Sequence, residues 1–568
     1  MTTNAGSDTA TSTGTLAPLT LKARIDQMFP TFTDAQVARI EPHGRRRSLR
    51  SGDVLYEPGD EQVPFFVVTE GQVEVLRPDE AGDTLITVET PGQFTGEIQM
   101  LSGRRALVRA RAREAGEVIE VERDRLLSLV QTDSELSEII LRAFILRRVE
   151  LIARGLGDVV LVGSNYCSGT LRVKEFLTRN GHPYAYLDLD RDTDVQQLLD
   201  RFGVSARDVP VLICRGDIVL KNPSNEQVAE CLGFNTGVDQ TRVRDVIVVG
   251  AGPAGLAAAV YAASEGLDVL IVETTAPGGQ AGSSSKIENY LGFPTGISGA
   301  ALGARAYTQA QKFGAQAIIA QRAMRLESDS RPYAISISEG ARLAARTIII
   351  ATGAQYRKLS LENLSRFEGA GIYYAAAYME AQLVEGEDVI VVGGGNSAGQ
   401  AAVYLAQWAR RVHVLVRSDG LAASMSRYLI RRIEENPAIE LHTRTEVVGL
   451  DGANHLENVR WRNASTGETT THGIRHVFLM MGGVPSTGWL ADQVARDAAG
   501  FIKTGPDLTQ EELSAAGWPL ARAPFLLETN LPGVFATGDV RAGSIKRVAS
   551  AVGEGSIAVS FVHRVLSE

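Results

Sequence analysis

Arg244-Asp-Val-Ile-Val-Val-Gly-Ala-Gly-Pro-Ala-Gly255 reads as a buried strand that runs without a spacer into a glycine turn, and Leu256 to Ser264 continues as a helix. The order strand, Gly-x-Gly-x-x-Gly, helix is the context a phosphate-binding turn requires. Gly250 allows the tight turn and Gly252 lets backbone amides approach a diphosphate across Pro253 and Ala254. Gly255 permits close helix packing. The next strand, Val269-Leu-Ile-Val-Glu273, ends in a carboxylate suited to accept hydrogen bonds from ribose hydroxyls. A doubly wound α/β domain that holds a dinucleotide is the expected fold here.

The same grammar recurs downstream. Asp388-Val-Ile-Val-Val392 leads into Gly393-Gly-Gly395-Asn396-Ser397-Ala398, then a helix to Ala409 and a strand, Val412 to Val416, that ends at Arg417. A cation at that strand end suits the 2'-phosphate of NADP, whereas a free 2'-hydroxyl would favour a carboxylate. Ile348-Ile-Ile-Ala351-Thr352-Gly353 and Val534-Phe-Ala-Thr-Gly538-Asp539 each read as a strand entering a glycine turn. Two related nucleotide-binding folds are therefore expected.

On these fingerprints, together with Pro277-Gly-Gly279-Gln280, Ile287-Glu-Asn289-Tyr-Leu-Gly-Phe-Pro294 and Lys546-Arg547-Val548-Ala549-Ser-Ala551, residues 243–568 resemble the low-molecular-weight thioredoxin reductases, flavoproteins that use FAD and NADPH. The resemblance implies that Gln280 and Asn289 face the flavin and that Asp539 binds its ribityl chain. It also implies that the helix beginning near Arg547 points its N-terminus at the ring, where partial positive charge stabilises reduced flavin. Two departures stand out. Gly371-Ile-Tyr-Tyr-Ala-Ala-Ala-Tyr378 holds no cysteine where the family carries its redox Cys-x-x-Cys: Ala375 and Tyr378 occupy those positions, and Met379 replaces a family acid. The family's second basic position is also missing after Arg417, with Arg427 as a substitute, so NADPH is the expected donor and NADH the alternative.

From Asp158 to Phe234 the pattern is strand, helix, strand, helix (Thr193 to Phe202), strand, helix, and it resembles a glutaredoxin or thioredoxin module. Cys167 falls between the strand Val159 to Val162 and a helix expected from Thr170 to Asn180, where the helix's partial positive charge favours an anion. Val209-Pro210 stands where that fold puts a cis-proline, and Thr170 replaces the second cysteine. Cys167 is thus the candidate redox thiol, with Cys214 and Cys231 as internal resolving candidates or as small structural residues.

Further upstream, Asp53–Tyr56, Pro64–Val68, Gln72–Leu76, Thr84–Val88 and Val118–Val121 alternate with turns at Gly59 and Gly71, which suggests a β jelly-roll barrel closed by a helix over Ser134 to Leu156. Phe94 to Val108 resembles the phosphate-binding cassette of cyclic-nucleotide-binding domains, with Gly96, Glu97, Ile98, Arg104, Arg105 and Ala106 at the contact positions. Glu97 would take the ribose and Arg104 the cyclic phosphate. Arg105 stands in place of the usual hydroxyl residue, which changes the charge offered to the ligand.

The 568 residues, net charge −10 and three cysteines suit a multidomain cytoplasmic protein and exclude a disulfide framework and a nucleic-acid footprint. No membrane span and no metal centre are expected. The fold class is multidomain: a tail over 1–20, the barrel over 21–156, the thioredoxin-like α/β unit over 157–235, and a linker over 236–243. Two Rossmann-like domains follow, flavin over 244–357 and 483–568, nicotinamide over 358–482. The expected activity is electron transfer from NAD(P)H through FAD to an acceptor outside the reductase domain, under control of a cyclic-nucleotide-like effector, in a homodimer as in the resembling family. Alternatives are a ferredoxin or flavodoxin reductase, which also lacks the cysteines, and a non-catalytic redox sensor.

Overall fold

In the computed structural model of the chain, the described residues are 21–568 apart from 79–81, 98, 155–157, 166, 192–207, 216–217, 237, 285, 377 and 454, with the side chains of 21–24, 356, 378 and 379 also left aside. The helix expected over Thr193 to Phe202, Ile98 of the cassette and the side chains of Tyr378 and Met379 lie outside the described residues. The chain forms two compact units, one of residues 1–55, 64–98 and 110–150, the other of 56–63, 99–109 and 151–568.

In the first unit the strands Arg45–Leu49, Arg109–Val121, Phe65–Arg77 and Thr84–Glu89 pair in that order. Two strands expected on either side of Gly71 are in fact one, Phe65–Arg77. Gly71 marks a close approach within it: a Cβ there would lie 2.5 Å from the Ala115 carbonyl oxygen. Phe32, Phe65, Phe94 and Phe144 fill the interior, with Phe32 and Phe94 stacked at 4.9 Å and Phe94 and Phe144 edge-on at 6.2 Å. Phe144 comes from the helix Ser134–Ala153, which ends before the expected Leu156.

The second unit contains three α/β layers. The four-stranded sheet Ala185–Asp188, Val159–Gly163, Val211–Cys214 and Ile218–Lys221 is parallel at its first pair and antiparallel after it. The flavin-type sheet places Arg244–Val249 between Val269–Glu273 and Arg342–Ile350, both parallel to it, and Val534–Ala536 returns from the far end of the chain to extend the parallel set. The nicotinamide-type sheet runs Ile372–Tyr373, His476–Leu479, Asp388–Val392, Arg411–Leu415, Ile439–His442, all parallel. Every residue of Val246–Val249 and of Val389–Val392 is buried, as continuous apolar runs covered on both faces must be. Among the described residues no helix is long and apolar enough to cross a membrane.

Candidate active site

Both glycine turns have the expected shape. Gly250 adopts φ 103°, which only glycine enters without strain, and a Cβ at Gly255 would sit 1.9 Å from the Gly250 carbonyl oxygen. The helix starts at Pro253, earlier than Leu256, with Gly252 as its cap and no side chain on its first amides. Ala254 is buried behind the turn. Glu273, expected to face ribose, accepts from the turn itself: Oε2 from the Ala251 amide at 2.7 Å, and Oε1 from Thr275 and Ala276 at 2.8 and 3.2 Å. The carboxylate therefore rigidifies the loop that would receive a diphosphate.

Around this turn the other flavin positions assemble. Gly279 packs on Gly252, where an added Cβ would meet Cα at 2.8 Å, and the Gln280 side-chain amide donates to the Ala354 carbonyl just beyond Ala351-Thr352-Gly353. Thr352 Oγ1 donates to the Ser486 carbonyl at 2.9 Å. Asn289 is exposed. Gly538 donates to Glu554 at 2.7 Å; Asp539 is half-buried, and burial pushes its carboxyl above the ordinary value against the opposite pull of Lys546. Arg547 caps the helix Val548–Ser567 through its backbone, so Val548 and Ala549 form a first turn that carries no side-chain cap.

At the second turn, Gly393 approaches the Met480 carbonyl so closely that a Cβ would lie 2.3 Å from its oxygen, and Gly395 caps the helix Asn396–Leu405, again without a side-chain cap. That helix begins before the expected Ala398 and ends before Ala409. Asn396 Oδ1 accepts from the Ser426 amide at 2.7 Å, Ala398 is buried, and Arg417 and Arg427 are both exposed.

A cavity of about 550 Å³ opens beside these elements, lined by Gln280 from the flavin side, Ser397 and Gln400 from the nicotinamide side, and Tyr373 to Ala376 from the cysteine-free segment. Ser168, Leu171, Arg172 and Glu175 of the glutaredoxin-like layer form another part of its wall. Contact is direct, since a Cβ at Gly369 would lie 2.8 Å from Ser168 Cβ. The helix runs Ser168–Arg179, which makes half-buried Cys167 its N-cap residue. Pro210, after a cis Val209–Pro210 bond, approaches the start of that helix, with its Cδ 2.8 Å from where a Gly169 Cβ would stand. Arg172 is held by Asn225 and the Pro223 carbonyl; burial lowers the guanidinium, against the opposite pull of Glu226. Tyr374 donates to Glu368 at 2.6 Å, which also binds Lys358 at 2.6 Å, so the Glu368 carboxyl stays below its usual value although burial opposes this. Cys214 and Cys231 face each other: their shared hydrogen bond, with burial added, pushes the Cys214 thiol up, and the same bond lowers Cys231.

Residues 244–555 match the family profile of the pyridine nucleotide-disulphide oxidoreductases. The chain belongs to that family. Ahead of this part the oxidoreductase matches the cyclic nucleotide-binding domain over 46–133 and glutaredoxin over 159–219. It is similar to the thioredoxin reductases of Treponema pallidum, 33% identical over 55% of this chain and 94% of that one, and of Bacillus subtilis, 30% identical over 58% and 97%. The crystal structure of Lactococcus lactis thioredoxin reductase superposes with a TM-score of 0.51 at 26% identity, covering 57% of this oxidoreductase and 99% of that chain.

The cassette arginine is engaged elsewhere than on a free barrel surface. Within the second unit, the Arg104 guanidinium lies 4.4 Å from the Phe234 ring centre and donates to Tyr307 Oη at 3.2 Å. Arg105 pairs with Glu61 at 3.1 Å and donates to the Cys231 carbonyl at 3.4 Å, while Ala106 exchanges backbone bonds with Gly59 and Asp60. In the first unit, the Gly96 carbonyl accepts from Arg147 at 2.9 Å and Glu97 pairs with Arg148 at 3.5 Å. Sequence reasoning missed Phe234 and Tyr307, because neither belongs to any cassette motif.

Proposed function

We propose that the chain is an FAD-dependent NADPH oxidoreductase whose electron outlet is the cavity beside Ala375, with Cys167 as the thiol that meets the acceptor. The observation that carries this is the contact of Ser168 with Gly369, which brings a glutaredoxin-type helix start onto the segment where the resembling reductases hold their redox cysteines. Both nucleotide cradles fit their groups: Gly250, Gly255 and Gly393 leave room only for backbone, and the helices after Gly252 and Gly395 offer uncapped amides to diphosphates. When bound, the flavin and nicotinamide supply two-electron hydride chemistry. Glu273 fixes the first turn, Gln280 and the cysteine-free segment would shield a bound flavin, and Arg417 with Arg427 would provide cations for a 2'-phosphate.

Cys167 sulfur attacks one sulfur of an acceptor disulfide, forming a mixed disulfide and releasing the other sulfur as a thiolate. Two electrons and one proton, ultimately from NADPH, then split the adduct into the Cys167 thiolate and the second acceptor thiol. The same reading gives an anionic nucleotide effector to Gly96, Glu97, Ile98, Arg104, Arg105 and Ala106 in a jelly-roll barrel. Such an effector must take Arg104 from Phe234 and Tyr307, so its binding is coupled to the glutaredoxin and flavin layers. The domain limits given above and a homodimer complete the reading.

Anaerobic titration with NADPH and with NADH, followed by flavin absorbance, tests the first half: NADPH should bleach the flavin, and no bleaching with either rejects it. Steady-state turnover of wild type and Cys167→Ser with small disulfides, ferredoxin and quinones tests the second. The variant should keep flavin bleaching and lose disulfide turnover by about 100-fold or more. Disulfide turnover equal to wild type would remove Cys167 from the path.

A further inference from the structure

On the nicotinamide-type sheet the parallel register sets His413 opposite Glu440 and Leu415 opposite His442. Alternation along a strand puts Glu440 and His442 on one face, and the register puts His413 on that same face. Three donor groups thus converge at the sheet's edge strand: His413 Nδ1 lies 3.0 Å from His442 Nε2, and the two Glu440 carboxylate oxygens lie 3.6 Å from His413 Nδ1 and 3.6 Å from His442 Nε2.

These separations have a reference in metal chemistry. Donors bound tetrahedrally at about 2.0 to 2.1 Å from a zinc-like ion stand about 3.3 to 3.4 Å apart. The three distances bracket that value, so seating an ion between the groups needs only small shifts of side chains. Two imidazoles and one carboxylate suit borderline divalent transition ions and are a poor set for magnesium or calcium, which take all-oxygen shells. At 3.0 Å the two rings share a hydrogen bond, so seating an ion between them moves the shared proton to the far nitrogen of its ring and leaves both facing nitrogens as ligands. Arg411 Nη1 sits 3.5 Å from Glu440 and would swing away or share the carboxylate.

We propose that His413, Glu440 and His442 form a binding site for one divalent transition-metal ion of the zinc class, with water in the fourth position, clamping Arg411–Leu415 to Ile439–His442. The site is separate from the acceptor cavity and from both glycine turns, and it uses none of the residues given a catalytic role. Its metal would cross-link two neighbouring strands of the nicotinamide-type domain, one of which ends shortly before Arg417. Trp461 provides a reporter, with its ring centre 5.6 Å from that of His413 and 5.3 Å from that of His442.

The test uses full-length protein dialysed against a chelator and titrated with Zn2+ in competition with a chromophoric chelator, with Mg2+ as the control ion. One Zn2+ per chain should bind with a Kd of about 10 µM or tighter. Glu440→Gln, a change at an exposed side chain that leaves the fold intact, should weaken binding by about tenfold or more, and His442→Gln should abolish it. Ni2+ should quench fluorescence in wild type and not in Trp461→Phe. Cys231→Ser should bind zinc as wild type does, since a thiol site would lose it. No zinc binding below about 100 µM, or binding equal in wild type, Glu440→Gln and His442→Gln, overturns the proposal.

Discussion

A methyl group at position 255 would fall 1.9 Å from the Gly250 carbonyl oxygen, so Gly255→Ala must push the Pro253–Ser264 helix away from the turn it is meant to serve. Purified Gly255→Ala should carry less than about a tenth of the wild-type flavin per chain, measured by absorbance after denaturation; full flavin content would refute the cradle. Arg104 raises a different issue at the same scale. A cation over an aromatic face contributes about 1 to 2 kcal/mol where the guanidinium is buried, as that of Arg104 is, and an effector must forgo that contact. Phe234→Leu should therefore tighten a cyclic nucleotide about fivefold to thirtyfold by calorimetry, while an unchanged affinity would separate Arg104 from the effector. The glycine spacing made the first residue legible in sequence. Arg104 was legible as a phosphate ligand only, since its aromatic partners are 130 and 203 positions away.

At the scale of an element, the strand Thr84–Glu89 ends in a carboxyl that the fold buries almost completely. Arg147 Nη2 stands 3.5 Å away, but its other nitrogens donate to the Met28, Phe94 and Gly96 carbonyls, and among the described residues neither Glu89 oxygen receives a hydrogen bond. Burial accordingly pushes Glu89 up to about 7, outweighing the pull of Arg147. The folded value lies above the unfolded one, so the native state holds the proton more tightly. The stability this gives is complete below about pH 4.5 and is lost as pH rises through 7, with a magnitude on the order of 3 kcal/mol. Chemical denaturation of the first unit from pH 5 to 8 should show that decline, and Glu89→Gln should flatten it. A wild-type curve without slope would place the proton elsewhere. The spacing of short β-like runs between turns suggested a strand over Thr84–Val88, but nothing in the sequence distinguished Glu89 from the other acids around it.

Across the whole molecule, the decisive contact joins two modules that the sequence presents as independent. Gly369 belongs to the nicotinamide-type domain and Ser168 to the glutaredoxin-like layer, and Gly369 packs on Ser168 beside the cavity. Gly369→Val should push the Ser168 helix away and reduce disulfide turnover by about tenfold or more, with NADPH-dependent flavin bleaching within about twofold of wild type. Equal losses in both half-reactions would mean that the substitution damages the reductase itself. The cysteine-free segment at Ala375 and the helix that begins at Ser168 line the same cavity, and the thiol outlet proposed above rests on that arrangement.

The sequence by itself determined the two glycine turns, their strands and helices, the family and the order of the modules. Each rests on residues adjacent in the chain, where backbone geometry allows few alternatives. It also singled out Cys167, because a cysteine before a helix and a Val-Pro pair before a strand form a local pattern. Only the tertiary structure decided which module faces the cavity, what holds Arg104, and that His413, Glu440 and His442 share one face of the sheet. Those facts depend on side chains brought together by strand register and domain packing. Short-range periodicity cannot encode such meetings.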